Sequence, residues 1–484
     1  MAAETPGILR CRVLWPGRGT SPLEDACISM SRGRITSVTK GSGWRVPFAM
    51  PSFIDAHCHV FWTGFSRIHM DLSPCRSAGE LLSLVGSGRA TGRVLRGEGW
   101  DDSTWHDGRL PTLEEMDSAA GGRAVFLRRV CGHAALVSSA AISMLEREGA
   151  LSGPAGVRIT EGPVLHFDEI VPPGRSELLE AFGKARDLAF AEGVTGLRTL
   201  DSAAKCSVLS SIANAGLRVS MAVWAEDMSL PEGLSERFPD GLWGIKIFLD
   251  GGIGAETAAM SSPFEDGSHG PLLYSDEQLA DLLSGASRAG LRVAAHAIGG
   301  AALRQLDRVC AGLEAQPAPA VTVEHAEELQ ADWPGRWDRG RHAFSMQPNF
   351  VRRWQGDGGL YDIRLGSSRA AALNPFRLPV ASGFELGFGS DGMPFGPLWG
   401  IPGAVEHRGG TGLDLSQALG AYTAGSAIVA GFPELAAPIS AGRPADLVVL
   451  SADPFEVGVR EVKVVATIIE GEVVWGDPGI LEEG

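Results

Sequence analysis

Two histidines one residue apart, His57 and His59, close the apolar run SFIDAHCH. Side chains alternate between the faces of a strand, so this pair shares one face and Cys58 takes the other. Two imidazoles converging from one strand end are a natural start for a divalent metal site. Four more titratable residues, Lys246, His296, His325 and Asp391, each fall in or at the end of a different apolar run. Singly, His325 reads as a structural histidine and Asp391, inside GSDG, as a turn cap. As a set they read as ligands gathered around a cation.

Lys246 raises a separate point. The chain has only five lysines, at positions 40, 184, 205, 246 and 463, and this one stands within IKIF. An ammonium buried beside cations is disfavoured, so its pKa should fall. A neutral amine can add carbon dioxide to form a carbamate, whose two oxygens can bridge two cations. The alternative is a neutral or ion-paired lysine beside a single metal.

Something must bring these side chains together. Eight strand-like runs are candidates: 52–59, 194–200, 217–224, 242–249, 291–297, 320–326, 342–348 and 385–391. Near-continuous apolar runs suit strands buried on both faces. Helical patterns such as 276–290 lie between them and stop at glycine. Strands alternating with helices predict an α/β fold, a (β/α)8 TIM barrel whose catalytic groups collect at the C-terminal strand ends. From His59 to Val194 lie 134 intervening residues, far beyond one connection. An inserted α+β subdomain after the first strand is therefore expected. Residues 8–50 and the segments 445–450 and 464–475 look like short antiparallel strands, with a hairpin turn at Glu470 and Gly471. The expected organisation is a small β-sandwich from both termini (1–50 and 431–484), a barrel (51–67 and 190–430) and an insert (68–189).

Taken together, SFIDAHCH, GWDDSTW, GIKIFLDGGIG, HAIGG, EHAEEL, SMQPNF, GFGSDGMP and AGRPADLVVL resemble the amidohydrolase superfamily. They look most like the amidohydrolase-3 branch that holds N-substituted formamide deformylases and related exocyclic amidases. The resemblance implies that His57 and His59 bind the more buried metal and that a carbamylated Lys246 bridges a binuclear centre. It implies that His296 and His325 bind the second ion, with Asp391 both ligand and proton shuttle. His133, in VCGHAAL, resembles a family position that could polarise the substrate; an ordinary buried histidine is the alternative. Trp62, Gln347, Glu256 and Trp354 are the candidate substrate contacts, the tryptophans suiting a flat or apolar group. Three positions depart from the branch pattern: Ser52 replaces a glycine, Gly300 an aspartate and Glu256 an arginine. The ligands survive all three, but substrate identity does not transfer.

The implied activity is hydrolysis of a non-peptide C–N bond, in an exocyclic amide, formamide or N-acyl amine. A metal-activated hydroxide of pKa near about 7 would attack, with Asp391 shuttling the proton. Zinc is the leading candidate, as one or two ions, with iron, manganese and nickel as alternatives. The same centre would serve a cyclic amide or ester hydrolase or a deaminase, and a catalytically silent binding barrel is the non-enzyme reading. With 58 acidic against 42 basic residues the net charge is −16, which disfavours nucleic acid and anionic membranes as partners. A small-molecule substrate is expected, and the sequence leaves a homo-oligomer open. Seven scattered cysteines without C-x-x-C read as free thiols. With no signal peptide evident and no long apolar run, a cytoplasmic protein is expected.

Overall fold

The computed structural model describes residues 7–483, apart from 89–92, 152–155, 166, 213–215, 226–229, 231–232, 314–317, 331–336 and 392–393. Gly392 and Met393 of the GFGSDGMP motif thus lie outside the described residues.

Eight parallel strands follow one another around a nearly closed barrel: β1 (Phe53–Cys58), β2 (Val194–Asp201), β3 (Arg218–Trp224), β4 (Leu242–Phe248), β5 (Arg292–Ala297), β6 (Val321–His325), β7 (His342–Met346) and β8 (Glu385–Phe388). Every residue of β1, β2 and β6 is buried, as sheets covered by helices demand. Between β8 and β1 no ladder forms; the backbone just beyond β8 closes the gap. There Asp391 N–H donates to the His57 carbonyl at 2.8 Å, and Ser390 N–H donates to the Asp55 carboxylate at 3.1 Å. The barrel is therefore sealed at the place where the histidine pair ends β1.

Helices follow the expected punctuation. The segment 276–290 forms a helix over Asp276–Arg288, started by a capping box between Ser275 and Gln278. Strands from both chain ends hydrogen-bond into one eight-stranded sheet, joined where Val46–Pro51 runs antiparallel to Leu447–Leu450. Val464–Ile469 and Glu472–Trp475 form the hairpin, its turn residues Glu470 and Gly471 at φ 52° and 81°. A five-stranded sheet lies between β1 and β2, formed by Met70–Asp71, Val94–Trp100, Ala124–Arg129, Ala134–Val137 and Arg158–Thr160. All seven cysteines are free. Among the described residues no helix is long and apolar enough to cross a membrane.

Candidate metal centre

His57 is the penultimate residue of β1 and His59 follows the strand. Their Nε2 atoms stand 3.2 Å and 3.0 Å from the same oxygen, Asp391 Oδ1. From the end of β6, His325 brings Nδ1 to 3.9 Å from Asp391 Oδ2. One donor atom each from His57, His325 and Asp391 lie within 4.8 Å of one another, close enough to share a cation. His296, at the end of β5, packs its ring 4.4 Å from that of His325. Its Nε2 lies 3.1 Å from the Gly251 carbonyl, which can only accept. The proton is therefore on Nε2 and the lone pair on Nδ1.

Lys246 rises from β4 with no exposure. Burial pushes its pKa down to about 8. Among the described residues, Lys246 Nζ and His325 Nδ1 are buried without a hydrogen-bond partner. Such atoms are costly unless something else satisfies them. Burial, together with the neighbouring Lys246 and His133, drives His296 far below the ordinary imidazole value. Burial and the facing His296 and His57 do the same to His325. Both rings are thus neutral, the form that ligates metal. Burial alone would raise the Asp391 carboxyl, but His57, His59 and His325 hold it well below the usual range. The neutral imidazoles of His296 and His325 beside the Asp391 carboxylate fit a divalent cation.

The backbone is bent to achieve this. His325, Ala326 and Asp391 take left-handed φ of 71°, 50° and 55°, conformations that cost non-glycine residues energy and gather at functional sites. The bend at His325 breaks the strand alternation, so Glu324 and His325 both reach His57. Glu324, missed in the sequence reading, accepts from His57 Nδ1 at 2.6 Å. Its other oxygen accepts from Arg198, also overlooked. Asp250, buried at the end of β4, accepts from the backbone N–H groups of Ala259, Ile298 and Gly299 and so ties the GGIGAE loop to the end of β5.

The chain between β1 and β2 completes the cavity with Cys131 and His133. Gly132, at φ 79°, lets its turn lie on the Trp62 ring, 2.8 Å from where a Cβ would stand. His133 Nδ1 pairs with Glu161 at 3.0 Å, and Glu161 also accepts from Thr257. Burial opposes charge on His133, yet Glu161 carries its pKa up to about 9. Two lobes meet at His133, His296 and His325. One is polar, with Trp62, Arg128, Asp201 and Lys205; the other is lined by Ile253, Ile298, Phe350, Trp354 and Tyr361.

The remaining candidates fall elsewhere. Glu256 faces Arg364 at 3.4 Å and does not line either lobe. Gln347 is fully buried, its Nε2 donating to the Ser345 carbonyl at 3.3 Å, also away from the lobes. Gly300 has its missing carboxylate supplied from the loop after β6: Glu328 accepts from the N–H groups of Gly300 and Ser261, both at 2.7 Å. Ser52 hydrogen-bonds to Thr195 at 2.7 Å.

The profile described as "Amidohydrolase family" matches residues 48–475. The chain is similar to YtcJ of Bacillus subtilis (strain 168), which bears an amidohydrolase name, with 27% identity over 88% of each chain. It is also 24% identical to the N-substituted formamide deformylase of Arthrobacter pascens, over 87% of each. A crystal structure of an uncharacterised metal-dependent hydrolase from Pyrococcus horikoshii OT3 shares the fold, with TM-score 0.73 and 23% identity over 94% of this chain and 99% of that one.

Proposed function

This chain belongs to the amidohydrolase family, and from that membership we propose that it is a metal-dependent hydrolase of a non-peptide C–N bond in an exocyclic amide, formamide or N-acyl amine. The observation carrying this reading is the convergence of His57, His325 and Asp391 donor atoms within 4.8 Å of one another, beside a buried Lys246 without a hydrogen-bond partner. The formamide deformylase among its relatives supports the bond type. His57, His59, His296, His325 and Asp391 would hold the metal, zinc first, as one or two ions, and a carbamylated Lys246 would supply a further ligand. A bound cation supplies Lewis acidity toward the carbonyl oxygen and a water acidic enough to react near neutral pH.

The chain's own groups do the rest. Asp391, ionised and aimed into the centre, accepts the water's proton and returns it to the departing nitrogen. His133, charged and held by Glu161, donates a hydrogen bond to the substrate carbonyl oxygen. The apolar lobe takes an uncharged substituent and keeps water from that side. A second reading has one support: three of the donors already suit a single ion, which is the centre of a deaminase.

Metal content by plasma mass spectrometry, on wild type and Lys246→Ala, with N-formyl and N-acyl amines assayed alongside, tests this. About two ions per chain, falling with activity in the variant, is the outcome expected of a bridged centre. One ion that ignores the substitution favours the deaminase, and a protein that binds no metal overturns the hydrolase.

A further inference from the structure

The interior of the barrel holds an ion pair that the hydrolytic chemistry does not use. Arg198 on β2 and Glu324 on β6 are both wholly buried. Fully buried pairs of this kind are commonly no more stabilising than apolar residues of the same volume. Stability alone is therefore a poor reason for this one. Its contacts suggest another. Glu324 divides its oxygens: Oε1 accepts from Arg198 Nη2 and Oε2 accepts from His57 Nδ1 at 2.6 Å. Arg198 in turn donates from Nε to the Ala56 carbonyl at 2.8 Å, one residue before His57. Its guanidinium carbon sits 4.3 Å from the centre of the Trp243 ring. Both the backbone entering His57 and the far side of its imidazole are thus held by one network from two other strands.

We propose that Arg198 and Glu324 are positioning residues for the metal centre, fixing His57 with its proton on Nδ1 so that Nε2 faces the cation. The geometry leaves His57 little alternative. Glu324 is acceptor-only when ionised, so the shared hydrogen must come from Nδ1. Nε2 is then the bare nitrogen, and it is the one 3.2 Å from Asp391. Partners behind a ligating histidine commonly set metal affinity as well as ring orientation. Arg198 keeps Glu324 aimed at His57; a lysine there would keep the charge but lose the fork that reaches both Ala56 and Glu324.

The inference rests on the metal-dependent reading, and its test separates the two. Zinc dissociation constants by chelator competition are measured on wild type, Glu324→Gln and Arg198→Lys, with melting of the metal-free proteins recorded in parallel. Glu324→Gln is expected to weaken zinc by about 10- to 100-fold, and Arg198→Lys to weaken it less. A pair that only supports the fold would lower the melting temperature of the metal-free protein and leave zinc affinity within about threefold, which overturns the proposal. Nitrogen NMR of histidine-labelled wild type covers the case in which the variants do not fold. Zinc-loaded protein, and metal-free protein at alkaline pH, should both show His57 protonated at Nδ1 and bare at Nε2. The opposite tautomer overturns the positioning role. Wild type that binds no zinc overturns the hydrolase reading instead, while the metal-free spectrum still decides the tautomer.

Discussion

Gly389, two residues before Asp391, lies at the tight seam where the barrel closes. A Cβ built there would stand 2.5 Å from His57 N, 2.6 Å from His57 Cβ and 2.7 Å from His57 O. Carbon contacts relax near about 3.5 Å, so Gly389→Ala must part the two strand ends by roughly 1 Å. The obstructing atoms are mostly backbone, and no side-chain rotation relieves them. The two strand ends driven apart carry His57 and Asp391, whose side chains meet at the centre, and Asp391 N–H already donates to the His57 carbonyl at 2.8 Å. Metal–ligand distances tolerate only about 0.2 Å. Overpacking should cost about 1–3 kcal/mol of stability, and a ligand displacement near 1 Å should cost on the order of 100-fold in kcat/KM. Metal content, thermal melting and hydrolysis of an N-formyl amine are read together. Gly183→Ala is the control. It lies in the helix Arg175–Ala191 with nothing within 4 Å of the added carbon, and should gain about 0.5–1 kcal/mol. If Gly389→Ala keeps its metal and turns over within about threefold of wild type, the tight seam does not place these ligands.

Four further outcomes follow from the same geometry. Asp168 is buried against Lys205 Nζ at 2.7 Å, Arg96 at 2.5 Å and Arg128 at 3.5 Å. Burial would raise its carboxyl, but those cations hold it far below the unfolded value of about 3.9. Its stabilisation is thus fully present above pH ~4 and is lost as pH falls below that; Asp168→Asn should cost about 3–5 kcal/mol at pH 7. The gap from wild type, read by melting across pH, must narrow in acid. Glu161→Gln should lower kcat by about 10- to 100-fold with KM little changed, because His133 loses its holder but the lobes stay intact. Trp354→Ala should lower kcat/KM for an aryl-substituted formamide about tenfold relative to a small alkyl one; equal losses would remove the apolar lobe from specificity. Dialysis against a chelator should lower the melting temperature, and zinc at 100 times its dissociation constant should restore about 2.7 kcal/mol.

The convergence of His57, His59, Lys246, His296, His325 and Asp391 was legible in the sequence, because each ends or interrupts an apolar run. Runs that are apolar on both faces imply parallel strands under helices, and the C-terminal ends of such strands open on one face. The length between His59 and Val194 left room for further elements, and a five-stranded sheet stands there. What escaped was set by contacts between distant segments. Glu324 should face away from His325 on a regular strand, and only the left-handed backbone at His325 turns both toward His57. Nothing in VTGLRTL singles out Arg198; its role depends on β2 and β6 meeting across the barrel. Glu161 reaches His133 and Thr257 from a stretch between β1 and β2 with no motif of its own. Glu256 and Gln347 were placed at the cavity by their neighbours in the chain, yet they turn instead to Arg364 and the Ser345 carbonyl. Periodicity along the chain records which face of an element is apolar. Which buried charge meets which depends on how far the strands approach and where their backbone bends, and only the assembled barrel decides that.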